Sequence, residues 1–155
     1  MSPARRKSLF EKLSVAIPNP ETELAHDNPF QLLISVILSA QATDISVNKV
    51  TPALFEAFPD PESMATARVE QILSFIRSIG LAPSKAKNIV NTCSLLVEKH
   101  QGQIPQTLEE LIALPGVGRK TANVMLNTAF GKSVIAVDTH IFRVSNRTGL
   151  AIGKD

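Results

Sequence analysis

The sequence predicts an all-α protein. Three segments open with a capping side chain followed by a proline, at Ser2-Pro3, Asn28-Pro29 and Asp60-Pro61, and proline is favoured at the first position of a helix. Between such starts, apolar residues repeat at intervals of three and four, which is the helical period. Only residues 133–137 are rich in β-forming side chains. A single short strand cannot form a sheet, so helices must build the whole core.

The expected helices follow one another with short connections. They cover residues 2–17, 31–40, 44–58, 69–78, 84–99, 107–114, 119–130 and 138–147. The segment 31–40 is apolar on nearly every side and has a capped entry, which predicts a central, buried helix. In 84–99, the apolar side chains share one face, so we expect Cys93 to be an inert core thiol. Lys85 and Lys87 are expected to remain in water.

Composition excludes several classes of protein. Of the 155 residues, 44% are hydrophobic and 19% are charged, which is globular composition. The longest nearly apolar run, residues 32–38, is much shorter than the ~20 residues of a membrane helix. Cys93 is the only cysteine, so the chain forms no internal disulfide and no cysteine-based metal site. We expect a cytoplasmic protein, associated with the nucleoid in a bacterium.

Charge is unevenly distributed along the chain. Residues 1–76 contain 6 Lys and Arg against 9 Asp and Glu, whereas residues 77–154 contain 10 against 4. A basic half suggests an anionic partner, and the alternative is a solvated face that binds nothing.

The most informative stretch runs from Leu114 to Ala122, with the sequence LPGVGRKTA. Its glycines, Gly116 and Gly118, permit positive φ angles and a close approach of the backbone to a ligand. The next helix, which begins at Arg119, directs unpaired N–H groups and the positive end of its dipole out of the turn. This pattern favours a grip on a nucleic-acid backbone over a plain helical hairpin. Such a grip positions DNA without reading its sequence.

Two side chains near this turn suggest catalysis. Lys120 lies in a first helical turn, where the dipole opposes a cation and favours the neutral, nucleophilic amine. Asp138 opens the next helix. An amine that attacks a sugar carbon and a carboxylate that stabilises positive charge there are suited to cleaving an N-glycosidic bond. The alternatives are a surface lysine that touches phosphate and an aspartate that only caps its helix.

Three separated motifs carry a family resemblance. LSAQATD at residues 38–44, LPGVGRKTA at 114–122 and VDTH at 137–140 closely resemble the endonuclease III family of DNA glycosylases. That resemblance implies a helical DNA-glycosylase fold with a helix-hairpin-helix element and a Gly/Pro-rich loop that ends in a catalytic aspartate. It implies that Lys120 forms a Schiff base with the sugar, that Asp138 is its acidic partner, and that β-elimination nicks the strand on the 3′ side.

The resemblance also implies DNA contacts. Gln41 matches the residue that enters the space left by an extruded base, and Leu81 resembles the wedge on the opposite side. His140 is expected to contact DNA, as is the run Gly116, Val117, Gly118 and Arg119. The alternatives are a polar residue at a helix end for Gln41, a core leucine for Leu81 and a surface residue for His140.

The implied partner is double-stranded DNA with a damaged base or an abasic site. The resemblance implies a monomer that does not bind a membrane. Oxidised pyrimidines are the expected substrate, with 8-oxoguanine as the second choice. Two other functions remain open. One is a non-catalytic helix-hairpin-helix DNA-binding module, and the other is a structural protein that associates through apolar helices, whose binding would not weaken with salt.

The sequence departs from the family at its end. Family members continue into further helices and usually into four spaced cysteines that hold a [4Fe-4S] cluster, and those cysteines are absent from this chain. We expect residues 1–24 to be the N-terminal helix of an incomplete second domain, 25–133 to form a helical barrel domain with the hairpin at 107–130, and 134–155 to begin the catalytic-aspartate segment. A truncated member with weak or no turnover is expected.

Overall fold

The computed structural model describes residues 1–154, and over that range helices are the only regular secondary structure. The helices are α1 (Pro3–Ala16), α2 (Pro29–Ser39), α3 (Asp44–Ala57), α4 (Pro61–Ala65), α5 (Val69–Ile76), α6 (Ala82–His100), α7 (Leu108–Ile112), α8 (Arg119–Thr128) and α9 (Thr139–Thr148). The all-α prediction is confirmed.

The three proline-marked helix starts are also confirmed. The side chains of Ser2, Asn28 and Asp60 accept hydrogen bonds from backbone N–H groups three residues later, at 3.4, 2.9 and 2.7 Å. These bonds satisfy amides that have no partner within the helix. Residues 133–137 form no strand. Instead, the Asn123 side-chain amide of α8 donates to the Ile135 carbonyl at 3.2 Å, so this segment is held by side chains of a helix.

The chain divides into two compact units, and residues 23–136 form the larger one. Its centre is α2, in which eight of eleven residues are buried, among them Leu32, Ile34 and Leu38 with no exposed surface. Helices α3, α6 and α8 pack against α2. The predicted central helix is therefore confirmed, and it carries the core on which the other helices rest.

The smaller unit combines residues 1–22 with the segment from residue 137 onwards. Neither α1 nor α9 has a buried residue. Large apolar side chains are exposed on both helices, including Phe10, Val15 and Val144. One long-range bond in this unit runs from the Met1 ammonium to the Gly149 carbonyl at 2.8 Å. Burial of apolar surface is the main stabilising contribution in folding, and α1 and α9 obtain little of it here.

Helix α6 confirms one expectation and overturns another. Cys93 has no exposed surface, and burial, followed by the negative charge of Glu62, raises the pKa of its thiol to about 12. It is thus the inert core thiol that was predicted. The prediction for Lys85 is wrong, because this side chain is 5% exposed. Lys85 lies one helical turn before buried Ile89 and therefore on the same inward face, whereas Lys87 is exposed.

Candidate functional site

The hairpin between α7 and α8 is anchored by two apolar side chains. Leu114 and Val117 are 3% and 6% exposed, and the Val117 amide donates to the Leu114 carbonyl at 3.1 Å. Val117 therefore holds the turn against the core. Gly116 and Gly118, on either side of it, are exposed. The turn presents backbone to the solvent and side chains to the interior.

The two glycines have different physical roles. Gly116 has a φ of +78°, the left-handed region that favours glycine. Gly118 has a φ of −89°, so it does not use the positive φ that glycine permits. A Cβ at Gly118 would meet nothing within 4 Å, which means that the space outside the start of α8 is open. Gly116 shapes the turn, and Gly118 leaves the helix end accessible.

Gly116→Ala is expected to lower the free energy of unfolding by about 1–2 kcal/mol, because an L-residue is strained in the left-handed region. The new Cβ would also lie 3.1 Å from the Cβ and Nδ2 atoms of Asn88. Chemical denaturation measures the effect. Gly118→Ala is the matched control and should change the free energy of unfolding by no more than about 0.5 kcal/mol. Equal losses in both variants would contradict the distinction.

Two side chains of α6 contact the turn and stabilise it. The hydroxyl of fully buried Thr92 donates to the Pro115 carbonyl at 2.8 Å. Asn88, one turn earlier, fills the space next to Gly116. Sequence reasoning missed both residues. The available signal was a polar side chain on the apolar face of a helix, since Thr92 falls between Ile89 and Leu96 at helical spacing.

The start of α8 is suited to an anion. Gly118 is the N-cap and supplies no side chain, so no side-chain cap bonds the first-turn N–H groups. These groups and the helix dipole favour negative charge at this end. Arg119 and Lys120 follow immediately and are both exposed. The protein itself does not exclude water from the Lys120 amine, so a bound molecule would have to do so.

Gln41 and Leu81 share an uncommon backbone conformation. Their φ angles are +55° and +60°, and along residues 1–154 the only other non-glycine residue with a positive φ is Gln101. Both side chains are exposed, and Leu81 is 61% exposed, which excludes the core-leucine alternative. A Cβ at Gly80 would lie 3.7 Å from the Gln41 carbonyl oxygen, so the two segments are neighbours. Strain of this kind is typical of functional sites.

Asp138 and His140 begin α9 in the smaller unit. A carboxylate oxygen of Asp138 accepts a hydrogen bond from the Ile141 amide at 2.8 Å, which makes Asp138 the N-cap of this helix. Its side chain is half-buried. The His140 ring is exposed, and its Nδ1 lies 3.1 Å from a guanidinium nitrogen of Arg143. Capping α9 is therefore one role of Asp138.

Comparison with known proteins decides the family. Residues 34–155 match the model of the "HhH-GPD superfamily base excision DNA repair protein". The chain belongs to this superfamily. Endonuclease III of Haemophilus influenzae and of Escherichia coli K12 are each 54% identical over all 155 residues, which cover 74% of either relative.

Solved structures agree with this HhH-GPD assignment. A structure of a non-covalent endonuclease III–DNA complex has a TM-score of 0.92 and 46% identity, and covers 100% of this chain and 72% of that one. A trapped endonuclease III–DNA covalent intermediate has a TM-score of 0.92 and 45% identity, and covers 100% and 73%. The resemblance stated from the three motifs is confirmed, and the protein is an enzyme of the DNA glycosylase/AP lyase class.

The residues of this HhH-GPD chain do not fit a [4Fe-4S] cluster. Such a cluster needs four ligands, generally cysteine thiolates, and Cys93 is the only cysteine and is buried. Within residues 1–154, no group of three or more His, Cys, Asp or Glu side chains is placed to hold a metal ion.

In the same range, no helix is both long and apolar enough to cross a bilayer.

Proposed function

We propose that this HhH-GPD protein removes oxidised pyrimidines from damaged duplex DNA and nicks the strand through a Schiff base on Lys120. One observation carries the proposal: the exposed Lys120 amine stands at the open, uncapped start of α8, beside a turn that presents backbone N–H groups. A phosphate bound there places the sugar–phosphate backbone next to the amine. The proposal places the protein with the chromosome in the cytoplasm.

The hairpin supplies affinity in this proposal. Backbone amides of the Gly116–Arg119 segment bind phosphate oxygens, and Arg119 adds a charge-assisted contact. None of these groups distinguishes one base from another, so the grip holds DNA of any sequence. Binding should weaken as salt concentration rises, because cations released from the DNA return at high salt.

Lys120 supplies the covalent step. The neutral amine attacks C1′ of the damaged nucleotide, the bond from C1′ to the base breaks, and the base leaves with the electron pair and takes up a proton. After the sugar ring opens, the nitrogen and C1′ form a Schiff base. Loss of a C2′ proton then expels the 3′ phosphate and nicks the strand. A relative that is 45% identical has been caught in a covalent complex with DNA, which supports this step.

Asp138 supplies the negative charge. A carboxylate stabilises the oxocarbenium-like sugar carbon as the base departs, and it assists the proton transfers that follow. As the N-cap of α9, Asp138 accepts a hydrogen bond from the Ile141 amide through one carboxylate oxygen. The positive end of the α9 dipole, at the start of the helix, attracts this negative charge.

Gln41 and Leu81 hold the opened duplex in this proposal. Extruding a base costs a few kcal/mol, and side chains that fill the gap offset part of this cost. Both residues are exposed and lie in neighbouring segments. Both have left-handed backbone angles, which are not those of an α-helix. His140, exposed at the start of α9, is proposed to add a contact to the DNA backbone.

We expect slow turnover from these 155 residues. Asp138 belongs to the unit whose helices, α1 and α9, bury no side chain, so little packing holds the carboxylate in one position. The reaction rate falls steeply when a catalytic group is not held in the reactive position. Lys120 belongs to the larger unit, which has its own core.

Borohydride trapping tests the proposal. Incubation with an abasic-site duplex and sodium borohydride should give a covalent protein–DNA adduct, because reduction makes the Schiff base permanent. With duplexes that contain thymine glycol or 8-oxoguanine, adduct should form faster on thymine glycol. Single-turnover nicking should be slower than that of the Escherichia coli relative. The absence of any adduct, with the relative trapped in parallel, would overturn the lysine mechanism. Nicking as fast as that of the relative would overturn the expectation of slow turnover.

A non-catalytic DNA-binding module is the second candidate. The exposure of Lys120 favours it, since a solvated ammonium suits a simple contact with phosphate. This candidate predicts salt-sensitive binding to any duplex and no adduct. The two functions share the grip and differ only in what the amine does.

A further inference from the structure

We propose that Lys85 is a positioning residue that fixes Gln41 and Leu81 in the conformation in which they enter the duplex. The inference rests on the proposed function of those two side chains. Lys85 itself is 5% exposed, so it does not touch DNA. Its role is carried by its contacts within the larger unit.

The surroundings of Lys85 are unusual for a lysine. Its ammonium donates to the Leu38 carbonyl at 2.9 Å and to the Ala40 carbonyl at 2.6 Å. It forms no salt bridge with any residue in the described range 1–154, unlike exposed Lys7, which pairs with Glu11. Burial lowers the pKa of Lys85 below its ordinary value. A buried charge without a counter-ion is costly, and the two carbonyl oxygens offset part of that cost. These two contacts indicate a role beyond filling space.

The two carbonyls belong to the end of α2. The last carbonyls of a helix have no partner within it, and they carry the negative end of the dipole. The ammonium of Lys85 binds both. The Ala40 carbonyl and the Gln41 amide belong to one planar peptide unit, so a bond to that oxygen fixes the plane from which Gln41 departs. Lys85 thereby stabilises the φ of +55° at Gln41.

Lys85 also contacts the residue on the other side. Its backbone amide donates to the Leu81 carbonyl at 3.0 Å, which closes the first turn of α6. Leu81 is the N-cap of this helix and has a φ of +60°. A single residue therefore binds the peptide unit before Gln41 through its side chain and Leu81 through its backbone. The relative placement of Gln41 and Leu81, which we call the wedge residues, therefore depends on Lys85.

Lys85→Met tests this role, because methionine fills similar space but donates no hydrogen bond. Binding is measured on a duplex with a tetrahydrofuran abasic-site analogue and on the same duplex undamaged. We expect affinity for the analogue to fall about tenfold, with undamaged binding unchanged because the hairpin grip is intact. 2-Aminopurine placed opposite the analogue should lose its fluorescence increase on binding. Lys87→Met, two residues along α6 and exposed, is the matched control and should change neither.

A double-variant cycle separates positioning from general stability. Gln41→Ala alone should remove most of the preference for the analogue, and Lys85→Met added to it should lower that preference no further. Additive losses, or equal losses on both duplexes, would overturn the positioning role. Lys85→Arg keeps the charge and donors, so it should retain part of the preference if the methionine variant does not fold. Loss in neither Lys85 variant would also overturn the role.

The outcome for the wedge residues is read separately. If Gln41→Ala and Leu81→Ala leave the preference unchanged, the proposed insertion fails, and the positioning role fails with it. If those two variants lose the preference and Lys85→Met keeps it, only the positioning role fails.

Discussion

Lys120→Gln is expected to abolish the borohydride-trapped adduct and to lower the rate of nicking at an abasic site by at least about 10³-fold. Glutamine has no nucleophilic amine, so the Schiff base cannot form. The substitution removes one charge among several near the grip, and affinity for undamaged duplex should fall by no more than about tenfold. Lys120 is exposed, so the fold should be unaffected. Gel analysis of adducts, nicking time courses and duplex titrations measure the three quantities.

Lys132→Gln is the matched control for this variant. Lys132 is an exposed lysine of the same unit and lies just beyond the end of α8. The Lys132→Gln variant should still form the borohydride-trapped adduct. If both variants lose the adduct, the loss reflects reduced positive charge rather than the chemistry of the Lys120 amine. If adduct persists in Lys120→Gln, another amine is the nucleophile.

Asp138→Asn is expected to slow base removal from a thymine glycol duplex by about 10²-fold or more. The substitution is chosen because asparagine caps helices as well as aspartate does, so the bond from the Ile141 amide can be kept while the negative charge is lost. Circular dichroism should therefore show unchanged helicity. Single-turnover release of the base measures the rate.

Asp60→Asn controls for the cap. Asp60 caps α4 with a bond of 2.7 Å from the Ser63 amide, and it has no proposed role in catalysis. This variant should match the unchanged protein in rate. A normal rate in Asp138→Asn would show that Asp138 only caps its helix, whereas a loss shared by Asp60→Asn would point to an effect on stability.

Much of the fold is predictable because its signals are local. A capping side chain before proline marks a helix start wherever it occurs, and α1, α2 and α4 begin where Ser2, Asn28 and Asp60 indicate. The apolar period identifies α2 as central because a helix that is apolar on all sides has no place on a surface. The turn from Pro115 to Gly118 is visible because few sequences reverse a helix so tightly.

The remaining features depend on contacts between distant segments. Lys85 reaches carbonyls 45 and 47 residues away, and no local pattern predicts that distance. The period that places Cys93 on the inner face of α6 places Lys85 there too, although the charge of Lys85 predicts exposure. Glycine permits a positive φ at both Gly116 and Gly118, and the sequence alone does not show that the turn uses it only at Gly116.

The absence of buried side chains from α1 and α9 has a consequence for energetics. Local opening of such helices costs little free energy, so their amides should exchange with deuterium well before those of α2. A DNA duplex that contacts the smaller unit binds molecules in which that unit is ordered, and it thereby raises their population. The apparent affinity of the protein for DNA is then reduced by the fraction of molecules in which the unit is not ordered. DNA binding would thus stabilise the smaller unit.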